Sequence, residues 1–271
     1  MLTNVFVNNR YQVLQQIGQG SQGHIMSAYD TKTKRNVAIK VIDVSTKPGM
    51  IAFTNEVRIQ NKAAKSKYVC EMTDCLQVLS EGLGLIVMKK YQTDLYDSCF
   101  AGSEPLPDSR IKQIFKQICR GVRDLHKNGI AHLDIKPENI LIDANGNAAL
   151  CDFGCSYFSK KERIISGIKG RGTVKYSAPE VINSDEYDQF KADIYSLGIL
   201  LHVIATGFFP TPSNPHFAAQ VADEDCFSLL QMLLAVDPAS RATIDQVLSH
   251  KYFPNTNRVI LSDKLPKFLR R

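Results

Sequence analysis

The stretch His132-Leu133-Asp134-Ile135-Lys136-Pro137-Glu138-Asn139, followed by Asp152-Phe153-Gly154, concentrates carboxylate, amide and ammonium groups in a short span. Residues 140–142 (ILI) and 148–151 (AALC) flank a polar run at 143–147, which reads as a turn between two short strands. A hairpin returns the chain to its start, so Asp152 is expected to meet Asn139. An amide oxygen and a carboxylate, completed by phosphate oxygens and water, suit octahedral Mg²⁺. Asp134 would then face an incoming hydroxyl, and Lys136 would neutralise a phosphoryl group in flight. Chemistry of that kind needs positioning and charge neutralisation and no separate covalent nucleophile.

A second feature lies upstream, at Gly18-x-Gly20-x-x-Gly23. Alone this spacing also fits an ordinary tight hairpin. It fits a dinucleotide fold as well, but that fold needs a helix after the loop. Here Ile25 and Ala28, then VAIKVI at 37–42, read as strands, so the glycines sit at a hairpin tip. Without Cβ atoms, backbone N–H groups there can approach phosphate oxygens. Strand alternation puts Ala38 and Lys40 on one face, under the loop. A buried lysine requires a partner, and Glu56, early in a helix expected over 51–65, can supply it.

The elements that must position these groups differ between the two parts of the chain. Before residue 88 the pattern is strand-rich with one helix. Further strands are expected near 75–79 and 85–88. Beyond it, Ile111, Ile114, Phe115, Ile118, Val122 and Leu125 predict a helix over 109–128, ended by Gly129. Apolar runs at 194–206 and 227–236 predict buried helices, and 244–249 a last short one.

Composition sets the outer limits. The chain has 271 residues, 44% hydrophobic and 22% charged, which supports a large core and excludes a disordered or collagen-like chain. A net charge of +6 is too mild for a nucleic-acid-binding signature. Seven cysteines without a CxxC pair argue against disulfides or structural zinc and fit a reducing compartment, cytoplasmic or nuclear. No signal peptide or apolar run of membrane-spanning length is read.

The motifs GQGSQG, VAIK, HLDIKPEN, DFG, GTVKYSAPE, DIYSLG and DPASR, in that order, resemble a eukaryotic protein kinase domain of the serine/threonine type over residues 11–253. The resemblance implies an α+β, bilobal fold, with a small antiparallel β-sheet lobe carrying one main helix and a larger, mainly helical lobe. It divides the chain into an ATP-binding lobe (1–88), a hinge (89–94), a catalytic lobe (95–253) and a basic extension (254–271). It implies ATP and Mg²⁺, with Asp134 as the catalytic aspartate and Asn139 and Asp152 as metal ligands. Lys136 becomes the γ-phosphate lysine, with Thr173 hydrogen-bonded to it and to Asp134. Lys40, paired with Glu56, binds the α- and β-phosphates below Gly18, Gly20 and Gly23. Ile25, Ala38 and Leu141 enclose adenine, Met88 is the gatekeeper, Lys89, Lys90 and Tyr91 form the adenine-contacting hinge, and Asp94 reaches the ribose or a basic substrate residue. Asp193 caps catalytic-loop amides, and Glu180 pairs with Arg241.

Three departures from the family pattern stand out. Leu133 replaces the arginine that holds an activation-segment phosphate, so activity is expected not to depend on that contact. Gln60 replaces an apolar residue four places after Glu56. Either the helix docks loosely, in which case Gln60→Leu raises activity, or Gln60 finds a local hydrogen bond. The hinge pair Lys89-Lys90 is expected to turn its side chains away from adenine. Asp94 and Glu138 favour basic residues upstream of the acceptor. Cys151 reads as a packing residue, open to electrophiles only if exposed. The expected partners are a Ser/Thr peptide or protein substrate and a regulatory protein, acting on a monomer, with no nucleic acid. The competing reading is a scaffold that has lost catalysis.

Overall fold

The computed structural model describes residues 5–20, 23–102, 105–167, 169–210 and 223–253. Six antiparallel strands form the first sheet, in the order β1-β2-β3-β4-β6-β5. They are β1 (Phe6–Val7), β2 (Tyr11–Gly20), β3 (Gly23–Asp30), β4 (Arg35–Asp43), β5 (Met72–Val78) and β6 (Leu83–Lys89). Period-two alternation divides β4 cleanly. Val37, Ile39 and Val41 pack with Tyr11, Val13, Met26 and Val87 on one face. On the other, Ile42 joins Phe53, Ile86 and Met88 beneath helix α1 (Lys47–Ala63). That helix starts four residues earlier than its apolar periodicity indicates. Thr46 caps it by accepting from Gly49 N, and a proline in the first turn suits the start.

The helical half is built on α3 (Asp108–Lys127) and α5 (Gln189–Thr206). Ile111, Ile114, Phe115, Ile118, Val122 and Leu125 form the buried stripe of α3, and each such side chain removed from water contributes about 1.5–3 kcal/mol before the opposing entropy of ordering. Around them lie α2 (Leu95–Phe100), α4 (Pro179–Asn183), α6 (Glu224–Leu233) and α7 (Ile244–Leu248). Both α5 and α6 begin earlier than their apolar runs, because Asp188 and Asp223 cap them. Short strands complete this half: β7 (Thr93–Asp94) joins β9 (Ile140–Ile142) and β10 (Ala148–Leu150) in one sheet. Strand β8 (Ile130–Ala131) pairs with β11 (Tyr157–Phe158), and β12 (Ile164–Ser166) with β13 (Glu186–Asp188). The architecture is therefore bilobal, a curled antiparallel sheet with one flanking helix beside a mainly helical lobe.

The two halves are joined at several points. The chain passes between the sheets at residues 90–92. Ile59 and Ala63 of α1 belong to the large lobe's core, and Cys70 N donates to Leu150 O at 2.8 Å. Gln60, 1% exposed, donates from Nε2 to Cys70 O at 3.2 Å. It is thus satisfied locally, and α1 sits docked. The basic extension 254–271 and the proline-containing stretch 211–222 lie outside the described residues.

Candidate active site

Lys40 lies on the inner face of β4 and is 3% exposed. Its Nζ donates to Glu56 Oε1 and Oε2 at 2.6 and 2.8 Å, and to Asp152 Oδ1 at 2.9 Å. Burial alone would strip the proton from this ammonium. The charges of Glu56 and Asp152 outweigh it and hold Lys40 above its ordinary pKa. Asp152 shows the mirror effect: burial pushes its carboxyl up, but Lys40 prevails and holds it below the usual range.

Register places the remaining cleft residues. Ile25 lies opposite Gly18 on one side and Lys40 on the other. Ala38 lies between Ser27 and Met88. Ile25, Ala38 and Leu141 are half-buried, as expected of apolar walls facing an open cleft. Met88 packs in one cluster with Tyr91, Leu141 and Cys151. Gly20 and Gly23 are the last paired positions of the β2–β3 hairpin, whose tip at 21–22 lies outside the described residues. A Cβ at Gly23 would collide with the Val41 carbonyl oxygen, so glycine is required there by packing as well.

The loop at 132–139 is organised around Asp134. Its Oδ1 accepts from Thr173 N and Thr173 Oγ1, both at 2.8 Å. Its Oδ2 lies 2.9 Å from Asn139 Nδ2 and 3.0 Å from Lys136 Nζ. Lys136 Nζ also donates to Thr173 Oγ1 at 2.7 Å. Below, Asp193 accepts from His132 N and Leu133 N, each at 2.8 Å, and from His126 Nε2 at 2.9 Å. This buried carboxylate supports Leu133 in a left-handed conformation, φ 61°, a strained state for a leucine. Asp152 is strained likewise, also at φ 61°.

Asp152 and Asn139 each keep one side-chain oxygen available to a divalent cation. Both hydrogen bonds to Asp152, from Lys40 and from Gly154 N, fall on Oδ1, which leaves Oδ2 for a metal. Asn139 commits its Nδ2 to Asp134, which turns its carbonyl oxygen into the available ligand. Cys151 N donates to Asn139 O at 3.0 Å and so holds Asp152 beside Asn139. Among the described residues no group of three His, Cys, Asp or Glu side chains forms a metal cage. Two oxygen donors alone suit Mg²⁺ delivered with phosphate oxygens.

Of the side chains around the hinge, Lys90 departs from the expected orientation. Asp94 caps α2 by accepting from Asp97 N at 2.8 Å. Lys89 lies against the Tyr91 ring, 4.9 Å from its centroid, near Asp143. Lys90, however, donates to Ser27 Oγ at 3.0 Å, on the strand face that Ser27 shares with Ile25 and lies opposite Ala38. Its ammonium therefore bridges the hinge to the small lobe. Cys151 is packed against the cleft wall, and burial pushes its thiol well up, which makes it a poor nucleophile.

Two contributors escape sequence reasoning. His132 Nε2 donates to Cys151 O at 3.0 Å, while its Nδ1 accepts from Asp134 N at 3.3 Å. Arg171 Nη1 donates to the carbonyls of Cys155 and Ser156 at 3.0 and 3.1 Å, joining the two ends of the activation segment. No spacing in the chain announces either contact.

A family model described as Protein kinase domain matches residues 11–253. Human NUAK family SNF1-like kinase 2 is 28% identical over 260 residues, covering 90% of this chain and 40% of that protein. Chicken serine/threonine-protein kinase SIK2 is 30% identical over 256 residues, covering 89% of this chain and 32% of that protein. Human testis-specific serine/threonine-protein kinase 3 is 28% identical over 271 residues, covering 94% of this chain and 100% of that protein. The chain thus spans less than half the length of the first two. With the matched span running from β2 to the end of the described large lobe, the chain belongs to the protein kinase domain family.

Proposed function

We propose that this chain is a serine/threonine protein kinase that transfers the ATP γ-phosphoryl group to a protein hydroxyl. The observation that carries the reading is the simultaneous closure of Lys40 on Glu56 and Asp152 beside an Asp134 whose two oxygens are both oriented. Lys40 holds the α- and β-phosphates, and Lys136 meets the charge on the transferring group. Asp134 receives the hydroxyl proton. The adenine lies between Ile25, Ala38 and Leu141, with Met88 behind it and the hinge backbone at its edge. Mg²⁺, held by Asn139 and Asp152, supplies charge neutralisation on the phosphates when bound.

Substrate selection follows from charge. Burial pushes the Asp94 carboxyl up; the Asp97 amide opposes this, and the Asp97 and Glu138 charges add to it. This acidic group suits a peptide with Arg or Lys upstream of the acceptor. Leu133 is buried with Ile165, Val181 and Tyr187, and Arg171 closes the segment on backbone carbonyls. Neither device needs a phosphate. We assign residues 1–88 to nucleotide binding, 89–94 to the hinge and 95–253 to catalysis. The seven cysteines are free thiols, which suits a reducing compartment.

The test is phosphorylation of a Ser/Thr peptide array by the purified chain. Asp134→Asn should lower transfer by about 10²–10⁴-fold with ATP binding retained. Equal transfer by both proteins, or none by the wild type, refutes the enzyme reading. Phosphatase treatment of the wild type should leave its rate unchanged, and a large fall would refute phosphate independence.

A further inference from the structure

A second cavity, of about 310 Å³, opens on the large lobe away from the nucleotide cleft. The end of α3, the activation segment and the first turns of α5 and α7 wall it. Its lining holds Arg123, Lys127, Arg163 and Lys191, together with His126, against one carboxylate, Asp245. Phe190, Ile194 and Ile244 form its apolar part.

Three of these side chains, Arg123, Lys127 and Lys191, are poorly matched by the protein. Arg123 Nε is buried with no hydrogen-bond partner, and its Nη2 lies only loosely, at 3.7 Å, near Asp124. Lys191 Nζ donates to a neutral acceptor, the Arg241 carbonyl. Burial, with the Arg163 and Arg241 charges, outweighs Asp188 and Asp237 and pulls this ammonium below its ordinary pKa. Lys127 forms no ion pair among the described residues. Arg163 is held by Asp188 at 2.6 Å and His126 by Asp193 at 2.9 Å. A guanidinium with a buried, unpartnered Nε, lining the same cavity as ammonium groups, offers the donors that bind phosphate oxygens, and the apolar wall strengthens such pairing by excluding water. The volume lies at the lower end for small-ligand sites, roughly 300 Å³, which suits one phosphorylated group.

We propose that this cavity is a binding site for a phosphate-bearing anion, held by Arg123, Lys127 and Lys191, with Arg163 reaching over from the activation segment. The anion's effect has a route to the catalytic loop. His126 bonds the same Asp193 carboxylate that holds the His132 and Leu133 amides. Free phosphate and a phosphorylated side chain share the required chemistry.

Calorimetric titration of the full chain at constant ionic strength, with inorganic phosphate and separately with a phosphoserine peptide, tests the site. Saturable binding of at least one probe is expected, undisturbed by a saturating non-hydrolysable ATP analogue. Binding should weaken at least about tenfold in Arg123→Gln/Lys191→Gln. The exposed Lys127→Gln, which leaves the core untouched, should weaken it too. Phosphate binding identifies a free anion as sufficient, and binding of the peptide alone identifies a phosphorylated side chain. Binding of neither probe, displacement by the ATP analogue, or full affinity in both variants overturns the proposal. None of these readouts requires phosphate transfer.

Discussion

Leu133 stands immediately before Asp134, the proposed catalytic aspartate, and is 6% exposed. It joins Ile165 of the activation segment and Tyr187 of β13 in a small apolar cluster. Beside the hydrogen bonds from Thr173 to Asp134, the contact between the loop at 132–139 and the activation segment therefore has an apolar part. It operates at any ionic strength and without modification. Truncation leaves a cavity between two elements that have little other core in common. Leu133→Ala should cost about 2–5 kcal/mol in urea unfolding, whereas the volume-conserving Leu133→Met should cost less than about 1.5 kcal/mol. Equal effects would show that packing is not what this residue supplies.

The activation segment acts as an element with three attachments. Strand β12 pairs with β13, Arg171 bonds the carbonyls just after Asp152-Phe153-Gly154, and Thr173 bonds Asp134. Helix α1 reaches the same segment from above, with Lys62 Nζ 4.5 Å from the Phe158 ring centroid. Gly172 lies between two of these attachments at φ 81°, and a Cβ there would collide with the Leu133 carbonyl. Gly172→Ala must push the segment outward and draw Thr173 from Asp134. A fall in kcat of at least about tenfold is expected, with the KM for ATP little changed. An unchanged kcat would show that Thr173 is held independently of its neighbour.

At the scale of the whole molecule, buried and partly buried charge pairs hold distant parts of the chain together. Arg241 is 2% exposed and meets Glu180 at 2.6 and 3.2 Å, fastening α4 to the loop before α7. In the small lobe, Arg10 bonds Asp30 at 2.7 and 2.8 Å and Asp74 at 3.1 Å, linking the turn before β2 to β3 and β5. The hydrogen bond from Arg10 holds the Asp30 carboxyl well below the usual range, against its desolvation. The folded pKa lies below the unfolded one, so this stability is present above about pH 4 and is lost as pH falls further. Acid unfolding followed by circular dichroism should show it. Asp30→Asn should be less stable at neutral pH and lose less on acidification below about pH 4. Parallel acid limbs would count against the assignment.

The sequence by itself determined the motif order, the strand-rich first part and the helical second part, because periodicity and glycine placement are local properties. It also supplied the chemical types that meet in the cleft. It misplaced the starts of α1, α5 and α6, although Thr46, Asp188 and Asp223 carried the capping signal in plain view. It left open whether Gln60 loosens α1, since a buried amide is harmful or harmless according to its partner, and the Cys70 carbonyl that satisfies it comes from another turn of the chain. Only tertiary structure decided that Lys40 meets Glu56 and Asp152 together, that Arg171 bridges the segment's ends, and that α3, α5, α7 and Arg163 enclose a basic cavity. Hydrogen bonds and desolvation depend on distances of a few ångströms between residues far apart in the chain, and those distances exist only after the core has packed.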